Sequence, residues 1–83
     1  MELKKQTTEV KLLSEIPEGK TIKVVQIEGG RGIKSRLEGL GIYPGQTLKV
    51  IRNKWGPVLV ESMGRKIAIG RGQANKILVE EIE

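Results

Sequence analysis

Cysteine, histidine, aspartate and phenylalanine are all missing from this 83-residue chain. Without cysteine there is no disulfide frame, no thiolate metal site and no cysteine nucleophile. Without histidine, imidazole–metal ligation and the usual general base are lost as well. A metal or catalytic centre would have to be assembled from Glu, because all 10 acidic residues are Glu. Aromatic residues are limited to Tyr43 and Trp55. Apolar runs are no longer than Val58–Val60, so neither a transmembrane helix nor a signal-peptide core is expected. The expected location is the cytoplasm, and the lack of cysteine suits a reducing compartment.

The length allows one hydrophobic core. Residues 1–8 are polar and read as a flexible segment, and 9–83 as a single domain. The formal net charge is +5, and it is unevenly placed. The first 30 residues and residues 55–83 each balance. Residues 31–54 carry Arg31, Lys34, Arg36, Lys49, Arg52 and Lys54 against Glu38 alone. A block of one sign steers a protein towards an anionic partner: an acidic protein face, nucleic acid or an anionic lipid surface.

Ile and Val outnumber Leu and Ala, which favours strands. Val10, Leu12 and Leu13 make a first apolar patch, and Ser14–Gly19 reads as a turn. Strands are predicted at Thr21–Ile27, Thr47–Arg52, Pro57–Ser62, Arg65–Ile69 and Ile77–Ile82. Within Thr21–Ile27, Ile22 and Val24 share one face while Val25 and Ile27 share the other. That switch of parity implies a bulge or a strand buried on both faces. The one helical pattern is Ile33, Leu37 and Leu40. Gly41 stands where a left-handed cap is wanted, with Ile42 able to fold back on Leu37. Tyr43-Pro44-Gly45-Gln46 has the form of a type II turn. Met63-Gly64 reads as a hairpin turn, and Arg71–Lys76 as a short turn or single helical coil. Five or six short strands with one helix give a small, partly open β-barrel.

The order of motifs resembles a known family. Leu13-Ser14-Glu15-Ile16-Pro17-Glu18-Gly19, Val24-Val25-Gln26-Ile27-Glu28-Gly29-Gly30 and Arg36-Leu37-Glu38-Gly39-Leu40-Gly41-Ile42-Tyr43-Pro44-Gly45 are similar to FeoA. Gly56-Pro57-Val58, Ile67-Ala68-Ile69-Gly70 and Ala74-Asn75-Lys76-Ile77 follow in the same order. The resemblance implies an SH3-like barrel with its helix inserted after the first barrel strand. It also implies a non-enzymatic accessory role in ferrous-iron uptake. The partner would be the cytoplasmic part of a FeoB-type transporter, at the inner face of the membrane. A related domain forms the C-terminal part of DtxR-type iron regulators. The family also carries a label of transition-metal binding, for which this sequence offers neither His nor Cys. No cofactor, metal ligand or catalytic residue is expected.

Other motifs have simpler readings. Ser14–Thr21 nearly fits a phosphate-binding loop, but Ser14 replaces its first glycine and Pro17 interrupts it. Gly29-Gly30-Arg31-Gly32 precedes a helix start and reads as a strand-to-helix connection rather than an anion site. Glu80, Glu81 and Glu83 read as a solvated terminus. The Ile33/Leu37/Leu40 stripe should face the core, leaving a face with Lys34, Arg36 and Gly39 to a partner. Tyr43 and Trp55, both at turns, are candidate interface anchors or plugs at the barrel ends. The candidate partner-binding set is therefore Arg31, Lys34, Arg36, Gly39, Tyr43, Arg52, Lys54 and Trp55. Nucleic acid is the alternative partner, although two aromatics make a thin stacking platform.

Overall fold

The computed structural model describes residues 9–82. The 1–8 segment, expected to be flexible, lies outside the described residues, as does Glu83. Among the described residues six strands and two short helices follow in the order β1 (Val10–Leu12), β2 (Thr21–Ile27), α1 (Arg31–Gly39), β3 (Thr47–Arg52), β4 (Val58–Ser62), β5 (Arg65–Ile69), α2 (Arg71–Ala74) and β6 (Ile77–Glu81). A 3-10 turn at Leu13–Glu15 follows β1. The strands form one antiparallel sheet in the order β1-β6-β2-β3-β4-β5. The fold is mainly β, a curled open sheet of the SH3-like kind, with α1 inserted after β2.

Two bulges curl the sheet. Along β2 the pairing runs Val24↔Val79 and then Gln26↔Leu78, which leaves Val25 as the extra residue. The bulge resolves the parity switch. Ile22, Val24 and Ile27 all reach the core and Val25 stays exposed, so Ile27 does not share a face with Val25. A second bulge lies in β3, where Val50↔Val60 is followed by Arg52↔Leu59. The core between these curled faces holds Leu13, Ile16, Leu48, Val50, Val58, Val60, Ile69 and Val79, all essentially buried.

Strand limits differ slightly from those predicted. β4 starts at Val58 because Pro57 has no N–H for the ladder. β6 stops at Glu81, although Ile82 still donates its N–H to the Thr21 carbonyl at 2.9 Å. Lys20 and Thr21 run into β2 rather than into a helix. The Ser14–Thr21 segment therefore has no helix N-terminus to cradle a phosphate.

The helix ends as the glycine predicts. Gly41 has φ +89°, its N–H reaches the Glu38 carbonyl at 3.0 Å, and the Ile42 N–H reaches the Leu37 carbonyl at 2.9 Å. This is a Schellman motif, and it buries Ile42 beside the fully buried Leu37. The expected core stripe needs one correction. Leu37 is buried and Ile33 packs at the core margin, but Leu40 is 38% exposed. The helix closes at Gly39, so the cap residue Leu40 turns away and Ile42 takes the core place.

Candidate partner-binding surfaces

The helix and the Tyr43 turn lie at the end of the sheet where β2 finishes and β3 begins. Tyr43-Pro44-Gly45-Gln46 is a type II turn: Gly45 has φ +95° and the Gln46 N–H donates to the Tyr43 carbonyl at 3.0 Å. Two further backbone bonds fasten it to β2. The Gly45 N–H donates to the Val24 carbonyl at 2.8 Å, and the Val24 N–H to the Gln46 carbonyl at 2.9 Å. Tyr43, 37% exposed, is therefore held as the wall of a cleft. That cleft, about 290 Å³, is lined by Gln26, Ile27, Lys34, Glu38, Tyr43 and Pro44.

A second hollow of about 290 Å³ opens on the other flank of the helix, between Glu38–Gly41 and Ser62, Met63 and Arg65. Ser62 is a buried polar residue whose hydroxyl donates to the Gly41 carbonyl at 3.3 Å and accepts from Gln46 Nε2 at 3.3 Å. It ties the helix cap, the type II turn and the β4–β5 hairpin together. Met63 sits in the hairpin with φ +53° and is 74% exposed. A Cβ on Gly39 would meet nothing within 4 Å, so the hollow is open at that point.

Lys34 and Arg36 do not share a face. Two residues along a helix turn through about 200°. Lys34 lines the Tyr43 cleft, Gly39 lines the second hollow, and Arg31 and Arg36 are exposed but line neither. Glu38 lines both hollows, so a carboxylate stands within the basic surface.

The remaining candidates lie elsewhere. Arg52 ends β3 at its far end, and Lys54 and Trp55 lie in the connection beyond it; the six residues of β3 span roughly 20 Å. The base of this turn is fixed by Asn53. Its side-chain amide donates to the Ser14 carbonyl at 3.0 Å and the Ile16 carbonyl at 2.7 Å. Its Oδ1 accepts from Arg71 Nη2 at 2.7 Å, and its backbone N–H donates to Glu18 Oε2 at 2.8 Å. Lys54 Nζ stands 3.9 Å from Glu18. Trp55 is 83% exposed. Neither Asn53 nor Ser62 carries a sequence signal of its role, because their partners are remote in the chain.

Among the described residues no three carboxylates gather to hold a metal ion. Within the acidic tail, Glu81 is ion-paired, with Lys11 at 3.2 Å and Lys20 at 4.0 Å. The residues present therefore do not fit a resident transition metal, whose soft or borderline character wants nitrogen or sulfur donors. No helix among the described residues is long and apolar enough to cross a membrane.

The family model of the FeoA domain matches residues 11–81. The chain belongs to the FeoA family. It is 50% identical over 66 residues, 80% of each chain, to a Methanocaldococcus jannaschii protein named Fe(2+) transport protein A. A crystal structure of an iron uptake regulatory protein, FeoA, superposes with a TM-score of 0.85 at 33% identity, covering 89% of this chain and 100% of that one. A manganese-dependent transcriptional repressor matches with a TM-score of 0.82 at 20% identity, over 93% of this chain and 44% of the repressor. At that identity the likeness is one of fold, and it extends over less than half of the repressor.

Proposed function

We propose that this FeoA-family protein is a non-enzymatic accessory protein of ferrous-iron uptake that docks on the cytoplasmic part of a FeoB-type transporter. The observation that carries this reading is the family match over residues 11–81, together with the 50% identical relative named for Fe(2+) transport. Iron is the cargo of that system. With no donor cluster of its own among the described residues, the protein acts through contact rather than by carrying the ion.

Of the two candidate surfaces, the helix end suits a protein partner better. It combines two hollows with the half-exposed Tyr43 and Leu40, the exposed Met63, and the cations Arg31, Lys34 and Arg36. Concave apolar ground with a charged rim supplies both contact area and rapid encounter. Docking regulates the transporter only if this surface has different affinity for two of the transporter's conformations.

The test is an amide NMR titration of the labelled protein with the purified cytoplasmic part of its ferrous-iron transporter. Shifts should cluster at Arg31–Gln46 and Ser62–Arg65. Arg31→Glu combined with Arg36→Glu should weaken the complex about tenfold at low salt and flatten its salt dependence. Unchanged affinity at low salt would sink the charge-steered docking. The nucleic-acid alternative loses ground on geometry: Tyr43 and Trp55 stand at opposite ends of β3 and form no common stacking platform.

A further inference from the structure

The helix end does not account for the most exposed aromatic in the molecule. Trp55 is 83% exposed at the tip of the β3–β4 connection and lines neither hollow. Its chain neighbours Lys54, Gly56 and Pro57 are exposed, as is Arg52. Of the other large exposed apolar groups among the described residues, Leu40, Tyr43 and Met63 belong to the opposite end of β3, and Val10, Val25 and Ile82 lie on β1, on β2 and just past β6, strands that do not border the β3–β4 connection. Trp55 is thus a single convex ring among cations rather than one member of an apolar patch. The Asn53 hydrogen bonds to Ser14, Ile16 and Arg71 fix the base from which the ring projects.

Protein hot spots bury their aromatics at the centre of packed ground, ringed by further contacts. A lone projecting indole lacks that ring. It has the form of an interfacial anchor, because indole partitions to the headgroup level of a bilayer, its ring in apolar surroundings and its N–H wet. Basic side chains beside it are drawn to anionic headgroups, each contributing about fivefold to binding near such a surface. Arg52 and Lys54 occupy those flanking positions. Glu18, 3.9 Å from Lys54, offsets part of the charge, which makes the contact weak and reversible.

We propose that the Trp55 turn is a membrane-surface contact that inserts its indole among the headgroups of an anionic bilayer, with Arg52 and Lys54 on the phosphates. The contact is separate from transporter docking and holds whether or not that docking occurs. Its effect would be to orient the protein on the leaflet, with the helix end directed away from the lipid.

Trp55 is the sole tryptophan, so emission excited at the red edge, beyond the absorption of Tyr43, reports on this ring alone. The full-length protein is mixed at low salt with phosphatidylglycerol–phosphatidylcholine vesicles, with pure phosphatidylcholine vesicles, and with the soluble cytoplasmic part of the transporter. The expected result is a blue shift of about 10 nm with the anionic vesicles and quenching by brominated acyl chains. Pure phosphatidylcholine should produce little change. In co-sedimentation, Trp55→Ala and the Arg52→Gln/Lys54→Gln pair should each lower the vesicle-bound fraction roughly tenfold. Unshifted, unquenched emission with anionic vesicles would overturn the proposal. So would undiminished sedimentation of Trp55→Ala, or a blue shift produced by the transporter domain in place of vesicles, which would make Trp55 a protein contact.

Discussion

The two ends of β3 carry similar residues in the sequence and different surfaces in the molecule. Each has one aromatic and a turn that contains both Pro and Gly. At the β2–β3 end the turn is stitched to β2 by bonds between Gly45 and Val24 and between Val24 and Gln46, so Tyr43 becomes part of a wall. At the β3–β4 end, residues 54–57 make no such backbone bonds to another element among the described residues, and the turn is held at its base by Asn53. Trp55 therefore projects. What separates a half-packed aromatic from a protruding one is the place where its backbone is tied, and residue type says little about that.

This contrast can be broken from either side. The largest effect should come from Leu37→Ala, which removes a fully buried side chain from the inner face of α1 and undercuts its Schellman contact with Ile42. A loss of about 3 kcal/mol is expected in urea denaturation, together with faster amide exchange in α1 and the Tyr43 turn. The Trp55 end should retain its Asn53 network in the native state. The counterpart is Asn53→Ala. It leaves the Ser14 and Ile16 carbonyls without their donor and Arg71 without its acceptor, at about 2 kcal/mol. Loosened amides should then appear at Ser14–Gly19 and at 52–57, not at α1. Gly45→Ala comes next, at about 1 kcal/mol. A side chain at φ +95° is strained although nothing lies within 4 Å of its Cβ, so the cost is conformational rather than a clash.

Local features were legible in the sequence because their causes are local. The Gly41 cap, the Pro44-Gly45 turn and the Met63-Gly64 hairpin each follow from short-range spacing. The β2 parity switch announced an irregularity, but choosing the bulge required the pairing with β6. Leu40 was misplaced because three apolar residues at helical spacing do not reveal that the helix closes one residue too early for the third. The surfaces were least legible. The basic block 31–54 is continuous along the chain, yet β3 runs through it and carries its two halves to opposite ends. Lys34 and Arg36, close in sequence, point to different flanks of the helix. Asn53 acquires its role from Ser14, Ile16 and Arg71, which lie 18 to 39 positions away. No pattern within one segment encodes such a meeting.

The smallest effects give the sharpest form of the contrast. Truncating an aromatic costs stability in proportion to the surface it shields from water, at about 25 cal/mol per Å² of apolar area. Tyr43 is 37% exposed, so most of its ring is packed, and Tyr43→Ala should lower stability by about 1 kcal/mol. Trp55 is the larger side chain but is 83% exposed, and it shields little. Trp55→Ala should therefore leave the urea midpoint within the equivalent of about 0.5 kcal/mol of the parent. The bigger residue should thus give the smaller loss. If instead Trp55→Ala were the more destabilising of the two, the ring would be packing against the barrel in solution, and it could no longer be the projecting tip on which the membrane contact depends. If both were neutral, Tyr43 would not be a fixed wall, and the cleft assigned to the transporter would lose its rigid side.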